Sequence, residues 1–182
     1  MRKKMPNIEY VTDRMETEEL LERLCPPVRN WFIDKFPDFT EPQKVAIPRI
    51  LKGEHLLLCS PTGSGKTLTA FLTIIDDLVR GALDGTLPDS VQCVYISPIK
   101  ALANDIEKNL LGPLGEIKER FLPSRAKEIK VGLRTGDTPQ SEREKMLRKP
   151  PHILITTPES LGLGLASKRF RPILDQMKWL II

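Results

Sequence analysis

The chain has 182 residues, 40% of them hydrophobic and 29% charged, and its 28 Lys and Arg against 24 Asp and Glu give a net charge of +4. This size suits one domain that buries roughly 70% of its unfolded surface, and the composition excludes a wholly disordered protein. No apolar run approaches the ~18 residues of a membrane span, and the basic start lacks the apolar stretch of a secretory signal. The mild positive charge is compatible with a polyanionic partner without requiring one.

Alternating apolar and amphipathic segments predict the elements. Short helices are expected first, at residues 17–24, 28–35 and 41–52. Apolar runs then predict strands at residues 55–59, 91–97, 130–134 and 152–156. Helical spacing lies between them, at residues 66–80, 100–111 and 139–148, with long surface connections at 81–90 and 112–128. Strand and helix in alternation predict βαβ units, and hence an α/β, three-layer fold with a mostly parallel sheet.

The C-terminal residues bear on the extent of the chain, and the cysteines bear on its cellular environment. Residues 178–182 (KWLII) begin another buried strand and stop without a turn or a polar tail, so we interpret the chain as a fragment of a longer protein. Cys25, Cys59 and Cys93 are odd in number and have no CxxC spacing. Reduced, buried thiols are therefore expected, without a disulfide or a zinc site, in a cytoplasmic protein that has no contact with a membrane.

The strongest chemical signal is the run Ser60-Pro61-Thr62-Gly63-Ser64-Gly65-Lys66-Thr67, which follows a predicted strand and opens a predicted helix. Glycines at positive φ let backbone N–H groups turn towards a phosphate, and the helix N-terminus adds the positive end of its dipole. Lys66 would reach the β- and γ-phosphates and Thr67 the Mg²⁺ ion, although Ser60 stands where the strict pattern has Gly. The alternative, a turn that only caps a helix, leaves Lys66 unexplained.

A small hydroxyl residue followed by proline recurs at strand ends, in the pairs at residues 60–61, 97–98 and 157–158 and, shortly after a strand, at 138–139. Such pairs are favourable helix starts. Since the carboxyl ends of parallel strands share one edge, helix starts that no nucleotide occupies could hold the phosphates of a nucleic acid. The pattern alone leaves open that they are only helix starts.

Gln43 begins the helix before the first predicted strand. A helix of about 11 residues rises roughly 17 Å, and a strand of about five residues returns by roughly the same length. The start of the helix therefore comes back beside the phosphate loop, where an amide could bind an adenine edge. A surface glutamine is the alternative.

Together these segments resemble the ordered motifs of the first RecA-like domain of superfamily 2 DNA/RNA helicases of the DExH type. Phe36, Thr40 and Gln43 match the Q motif, and residues 60–67 match motif I. Motif Ia, the intervening Gly motif and motif Ib are matched by residues 97–103 (SPIKALA), 134–138 (RTGDT) and 157–160 (TPES). Residues 27–32 (PVRNWF) and 134–142 favour the Lhr (large helicase-related) group, which is close to the Ski2-like helicases.

The resemblance covers about residues 24–182 and implies a RecA-like domain at 36–182 after an N-terminal helical segment at 1–35. It implies that ATP and Mg²⁺ are bound by Gln43, Pro61, Thr62, Gly63, Ser64, Gly65, Lys66 and Thr67, with Lys66 and Thr67 catalytic and Thr67 on the metal. It also implies contacts to one nucleic-acid strand from Pro98, Lys100, Ala101, Thr135, Gly136, Asp137, Thr157, Pro158, Glu159 and Ser160.

Helicases of this kind hydrolyse ATP to close and open two RecA lobes while they move along single-stranded or partly duplex DNA or RNA. The DExH motif and the second lobe are absent from these 182 residues. We therefore expect the parent protein to be an ATP-dependent helicase whose second lobe partners this one, and this piece alone to turn over little ATP. The alternatives are a small-molecule kinase and a nucleotide-dependent switch, but the guanine-recognising Asn-Lys-x-Asp element of such switches does not occur.

Four expectations concern the remaining polar and aromatic residues. His55 and His152 are expected to be ordinary residues at strand starts. The pair at residues 76–77 (DD) and the run 142–145 (EREK) are expected to lie on solvated helix faces. Trp31 and Phe32 are expected to pack the N-terminal helices onto the core. Since aromatic residues are only 5% of the chain, contacts to phosphates are expected rather than base stacking.

Overall fold

A computed structural model describes residues 9–98 and 106–182. Its elements, in chain order, are α1 (Thr17–Arg23), α2 (Pro26–Lys35), α3 (Glu41–Leu51), α4 (Lys66–Asp84), β1 (Cys93–Ile96), a π-helical turn (Glu107–Leu111) that continues into α5 (Gly112–Phe121), β2 (Val131–Arg134), α6 (Gln140–Arg148), β3 (Ile153–Thr156), α7 (Pro158–Ala166), a 3₁₀ turn (Arg171–Leu174) and β4 (Trp179–Ile181). Within this described part, no helix combines the length and the apolarity needed to cross a membrane.

The strands form one parallel sheet in the order β2-β3-β1-β4. Cys93 of β1 is in register with Ile153 on one side and with Trp179 on the other, and Ile153 in turn with Val131. Parallel neighbours require crossover connections, which the helices between the strands supply. The predicted α/β class with a parallel sheet is confirmed. A strand also forms near residue 178 as predicted, but it is not buried, since Leu180 is 51% exposed.

Alternate residues of the central strands face two separate apolar cores, which gives the fold its three layers. Cys93 and Tyr95 face a large core that includes residues of α2, α4 and α5. Val94, between them, belongs to a smaller core with Phe170 and Ile173 on the opposite face. Strands covered on both faces need apolar residues at successive positions, which is why β1 and β3 could be recognised as continuous apolar runs.

The strand predicted at residues 55–59 is not formed. These residues have no strand pairing, and the Leu57 side chain is 86% exposed. A strand exists only through hydrogen bonds to a neighbour, and none of the described strands runs beside this segment. Cys59 is exposed as a result, so the prediction of three buried thiols is right for Cys25 and Cys93 and wrong for Cys59.

Helix α4 is longer than predicted, and α5 forms where a surface connection was expected. α4 continues to Asp84 and ends at Gly85, whose φ of 72° and N–H bond to the carbonyl of Gly81 are typical of a helix C-terminus. The predicted connection at residues 112–128 begins with α5, which buries Leu114 and Ile117 against the core. Its two glycines concealed this apolar stripe. The predicted helix at 100–111 falls partly outside the described residues, and its end is the π-helical turn.

The N-terminal helices pack into the large core, as predicted from Trp31 and Phe32, which are 3% and 2% exposed. Trp31 Nε1 donates to Glu116 of α5 at 2.7 Å, which joins α2 to the body of the domain. The domain boundary between residues 35 and 36 stays a prediction.

The expectation of a solvated face at residues 76–77 is wrong for Asp76, which is 2% exposed. Its carboxylate accepts the N–H of Cys25, at the start of α2, at 2.6 Å and the Nε–H of Arg80 at 2.7 Å. A buried carboxylate needs such donors. Asp77 is half-buried and pairs with Lys178 at 3.1 Å. Asp76 therefore ties α2 to α4.

His152 is fully buried at the start of β3, whereas His55 is exposed. The Nδ1 atom of His152 accepts the backbone N–H of Lys130 at 2.9 Å, and its buried Nε2 has no hydrogen-bond partner among the described residues. Burial, together with the positive charges of Lys127 and Lys130, holds the pKa of His152 below its ordinary value. His152 is thus a neutral core residue at the amino end of the sheet.

Candidate functional site

The glycine-rich loop forms a turn at the head of the 19-residue helix α4. Gly63 and Gly65 have φ values of 80° and 84°, which side chains with a Cβ rarely adopt. The hydroxyls of Ser60 and Ser64 lie 2.6 Å apart across the turn, while Pro61 and Thr62 are exposed at its tip. The two glycines thus allow the backbone to fold tightly in front of the positive end of the helix dipole.

Lys66, the first residue of α4, points back into this loop. Its ammonium donates to the carbonyl oxygens of Ser60 at 2.5 Å and Pro61 at 2.8 Å. Thr67 follows in the first helical turn with a half-buried side chain. Lys66 therefore lies at the N-terminus of α4, where backbone N–H groups and the helix dipole favour an anion.

The start of α3 lies directly against this loop, as predicted, although the strand assumed in that prediction, at residues 55–59, is not formed. Thr40 and Gln43 form a capping box, in which Oε1 of Gln43 accepts the N–H of Thr40 at 2.9 Å. The Thr40 hydroxyl donates to the carbonyl of Ser64 at 2.9 Å. A Cβ at Gly65 would lie 2.9 Å from Nε2 of Gln43. Since Gln43 is 3% exposed, the alternative of a surface glutamine is wrong.

α4 runs antiparallel to the strands, and this direction decides where the loop lies. Phe71, near its start, makes an edge contact with Tyr95 near the end of β1, with ring centroids 5.1 Å apart. Ala82, near the end of α4, accepts through its carbonyl the N–H of Lys127, which precedes β2. The glycine-rich loop is therefore at the carboxyl end of the sheet, where ligands bind in open α/β folds.

The Thr157 corner, residues 157–160, lies at the same end, directly after β3. The Thr157 hydroxyl accepts the N–H of Ser160 at 3.3 Å and lies 3.1 Å from its hydroxyl, so it caps α7 as predicted. Both residues are buried, while Pro158 and Glu159 between them are exposed. The corner therefore presents the exposed first turn of a helix, with its cap fixed from within.

The turn at residues 135–138 follows β2 at this same edge and is held from behind. The Thr138 hydroxyl accepts the N–H of Thr135 at 2.8 Å. Arg143 of α6 donates to the carbonyl oxygens of Thr138, Thr135 and Gly136 at 2.8, 3.1 and 2.7 Å. Gly136 and Asp137 remain exposed at the tip. The expectation of a solvated run at residues 142–145 is thus wrong for Arg143.

Arg134 lies beneath this turn. Its guanidinium is 4.3 Å above the ring of Phe170, a cation–π contact, and burial together with the nearby Arg143 lowers the pKa of Arg134. The Thr156 hydroxyl donates to the carbonyl of Arg134 at 2.8 Å, which joins the ends of β2 and β3. Arg134 therefore supports the edge of the sheet from within.

The end of β1 contributes the exposed residue Pro98, next to Ser97, whose N–H donates to the carbonyl of Thr156 at 3.1 Å. Lys100 and Ala101 lie outside the described residues. Among the described residues, no three or more His, Cys, Asp and Glu side chains converge as a metal site. Any divalent ion at the loop would have to take most of its ligands from a bound phosphate and water.

Sequence reasoning overlooked one contributor to the site. Arg143 belongs to a run of alternating charge, and the pattern offered nothing to separate it from its solvated neighbours.

A parallel α/β sheet with a glycine-rich loop at the head of a helix, and a lysine at its first position, defines a P-loop nucleotide-binding domain. The family model of the DEAD/DEAH box helicases matches residues 40–182. The chain belongs to this family, and the kinase and switch alternatives are not favoured.

Within the family, the chain is similar to Lhr helicases. It is 52% identical over 172 residues to the ATP-dependent helicase Lhr-Core of Methanothermobacter thermautotrophicus, and 46% identical over 180 residues to that of Methanocaldococcus jannaschii. These matches cover 93% and 98% of this chain, which spans only about a fifth of the relatives' length (20% and 21%).

A solved structure gives the same result. The Mycobacterium smegmatis helicase Lhr bound to ssDNA and AMP-PNP is 43% identical, with a TM-score of 0.72, over 86% of this chain and 20% of that one.

Proposed function

We propose that this chain is the ATP- and nucleic-acid-binding first motor lobe of an ATP-dependent helicase similar to Lhr. One observation carries the proposal: the glycine-rich loop, the turn at residues 135–138 and the Thr157 corner share the carboxyl edge of one sheet. A triphosphate and a nucleic-acid strand bound there would lie side by side on one domain. The relative bound to ssDNA and AMP-PNP supports both ligands.

For the triphosphate, the backbone N–H groups of residues 63–67 and the dipole of α4 would hold the phosphates. Lys66 would exchange its two carbonyl partners for phosphate oxygens, since a charged acceptor binds an ammonium more strongly than a neutral one. Thr67 would offer its hydroxyl to Mg²⁺. That ion, when bound with ATP, would neutralise charge on the β- and γ-phosphate oxygens.

Gln43 would contact the adenine through its amide. The capping box already uses its Oε1 atom, so we assign the recognition to its Nε2 group, which is a hydrogen-bond donor beside Gly65. Adenine presents ring nitrogens as acceptors for such a donor.

For the nucleic acid, the exposed residues at the ends of three neighbouring strands would line a path. These are Pro98, Gly136 with Asp137, and Pro158 with Glu159. Arg143 would act by holding its turn in shape rather than by touching phosphate, because its donors are already engaged by three carbonyl oxygens. Lys100 and Ala101 would extend the path after β1.

The nucleotide assignment is tested by titrating the chain with a fluorescent ATP analogue. Lys66→Ala should weaken binding at least tenfold, since hydrogen bonds to charged groups contribute about 1.5–3 kcal/mol. Lys52→Ala, at the opposite end of α3, removes the same charge away from the loop and should bind as the unchanged protein does. Equal binding by the unchanged protein and Lys66→Ala would refute the assignment.

The nucleic-acid path is tested with two matched arginines of α6. Arg143→Ala and Arg148→Ala remove the same charge from one helix, but only Arg143 holds the turn. We expect Arg143→Ala to weaken binding of labelled single-stranded DNA about five- to tenfold, with Arg148→Ala near unity. The dependence of affinity on salt should be alike in both variants, because neither arginine is assigned a phosphate contact. Equal losses in affinity would contradict the path.

A further inference from the structure

Helix α3 contains a proline that leaves one of its own carbonyl groups without a helical donor. Pro48 has no N–H, so the carbonyl of Lys44, four residues earlier, cannot make its intrahelical bond. The N–H of Met15 donates to that carbonyl at 3.0 Å. The gap in the helix is thus closed by a residue from the N-terminal segment.

Residues 13–17, here called the strap, lie along α3 in the antiparallel direction. Met15 meets the middle of the helix, and polar side chains on either side of it reach towards the two ends. The contacts are Asp13 with Arg49 at 2.5 and 2.6 Å, Arg14 with Glu41 at 2.8 Å, and Thr17 with Asp38. The strap therefore contacts α3, or the residues just before it, near both ends as well as in the middle.

One of these partners links the strap back to α3 itself. Asp38 accepts from the Thr17 hydroxyl with one carboxylate oxygen and from the ammonium of Lys44 with the other, at 2.9 Å. Lys44 is also the residue whose carbonyl accepts from Met15, and it is only 8% exposed. Both the side chain and the backbone of Lys44 are therefore fixed by the strap and its neighbour.

The start of α3 contacts the phosphate loop. The first turn of α3 carries Thr40, which donates to Ser64, and Gln43, whose amide fills the space beside Gly65. A shift of α3 along or about its axis would move both groups away from the loop.

We propose that the strap sets the position of α3 and, through Thr40 and Gln43, holds the phosphate loop in the shape that binds nucleotide. Asp13, Met15 and Thr17 are positioning residues, because they contact α3 or the residue Asp38 just before it, and not the loop. This inference deepens, and rests on, the nucleotide site proposed above.

The first test uses the relation between Met15 and Pro48. Met15→Pro removes the donor and should raise the dissociation constant for a fluorescent ATP analogue about three- to tenfold. In the Pro48→Ala background, residue 48 supplies its own N–H to the Lys44 carbonyl, so Met15→Pro should then change the constant less than twofold. An equal effect in both backgrounds, or no effect in either, would overturn the proposal.

The second test reverses a charge pair. Asp13→Arg and Arg49→Asp should each weaken binding of the ATP analogue, and the double variant should restore it, because the pair is re-formed in the opposite sense. The matched control reverses Glu19 and Arg23, an exposed pair within α1 that lies 3.5 Å apart. The control variants should bind nucleotide normally. Failure of the double variant to recover would count against the strap.

A parallel measurement separates this role from general stability and from the proposed function. Strap variants should keep the affinity for single-stranded DNA within twofold of the unchanged protein, while nucleotide affinity falls. A proportional loss of both ligands would identify the strap as merely structural and overturn the proposal. If the unchanged protein and Lys66→Ala bind nucleotide equally, the proposed nucleotide site is wrong. If Lys66→Ala loses affinity but the strap variants bind as the unchanged protein does, the site stands and the proposed role of the strap is wrong.

Discussion

Replacing Gly65 by alanine perturbs the phosphate loop in two ways that the structure separates. The residue has a φ of 84°, and an L side chain in this left-handed region costs about 1–2 kcal/mol. The added Cβ would also lie 2.9 Å from Nε2 of Gln43, which must move. Since that side chain completes the capping box of α3, its displacement costs about 1 kcal/mol more. The sum is a loss of about 2–3 kcal/mol.

Gly63 provides the matched control. Its φ of 80° is nearly the same, but nothing lies within 4 Å of an added Cβ. Gly63→Ala should therefore lose only the backbone contribution, about 1–2 kcal/mol. The free energy of unfolding, measured by denaturant titration of both variants, should differ by about 1 kcal/mol. That difference should disappear when each glycine is replaced separately in the Gln43→Ala background. Equal losses from the two glycines in the natural background would refute the contact between Gln43 and the loop.

Three further predictions concern buried polar groups. Asp76→Ala should lower the free energy of unfolding by about 2–3 kcal/mol, because it leaves the buried N–H of Cys25 at the start of α2 without an acceptor. Asp77→Ala, at the half-buried neighbour, should lower it by less than about 1 kcal/mol. The pKa of His152 is lower in the folded protein than in the unfolded chain, so protonation favours the unfolded chain and stability should decline as the pH falls below about 6.5. His152→Asn keeps an acceptor for the N–H of Lys130 and should reduce that decline, as measured by thermal unfolding at a series of pH values. Iodoacetamide should label the exposed Cys59 in the folded protein and spare Cys93, since burial raises the pKa of that thiol to about 12.

Each of these has a distinct contradicting result. Similar losses from the two aspartates would mean that Asp76 does not tie α2 to α4. An unaltered acid limb in His152→Asn would assign the pH dependence to other groups. Labelling of Cys93 at the rate of Cys59, read by mass spectrometry with unfolded protein as the reference, would contradict the burial of β1.

The fold could be predicted where the information is local. β1 and β3 are buried on both faces, so their apolar runs are continuous and stand out from the helices. Residues 55–59 carry a similar apolar run, yet they remain unpaired because pairing depends on a distant partner rather than on the run itself. Helix periodicity likewise could not show that Asp76 faces the start of another helix.

The residues of the phosphate loop could be predicted from the sequence, but the residues that hold the site in shape could not. Gly63, Gly65 and Lys66 indicate their chemistry by residue type and spacing. The position of Gln43 beside the loop is as predicted, but the strand assumed in that prediction does not form, so the lengths of the elements do not explain it. Arg143 could not be distinguished from the neighbouring charges, since its three carbonyl partners come from a turn whose shape the sequence does not give. The contact of Met15 with α3 also needs the tertiary structure, although Pro48 marks the vacant carbonyl in advance.

The central claim is that nucleotide and nucleic acid bind side by side at the carboxyl edge of the sheet. Hydrogen–deuterium exchange, resolved by peptide, measures this directly with a non-hydrolysable ATP analogue and with a single-stranded oligonucleotide. The analogue should protect residues 60–67, and the oligonucleotide should protect residues 135–138 and 157–160. Residues 88–92 and 127–130, at the opposite edge, should exchange unchanged with either ligand. Protection of that opposite edge by the oligonucleotide, with none at residues 135–138 and 157–160, would contradict the account.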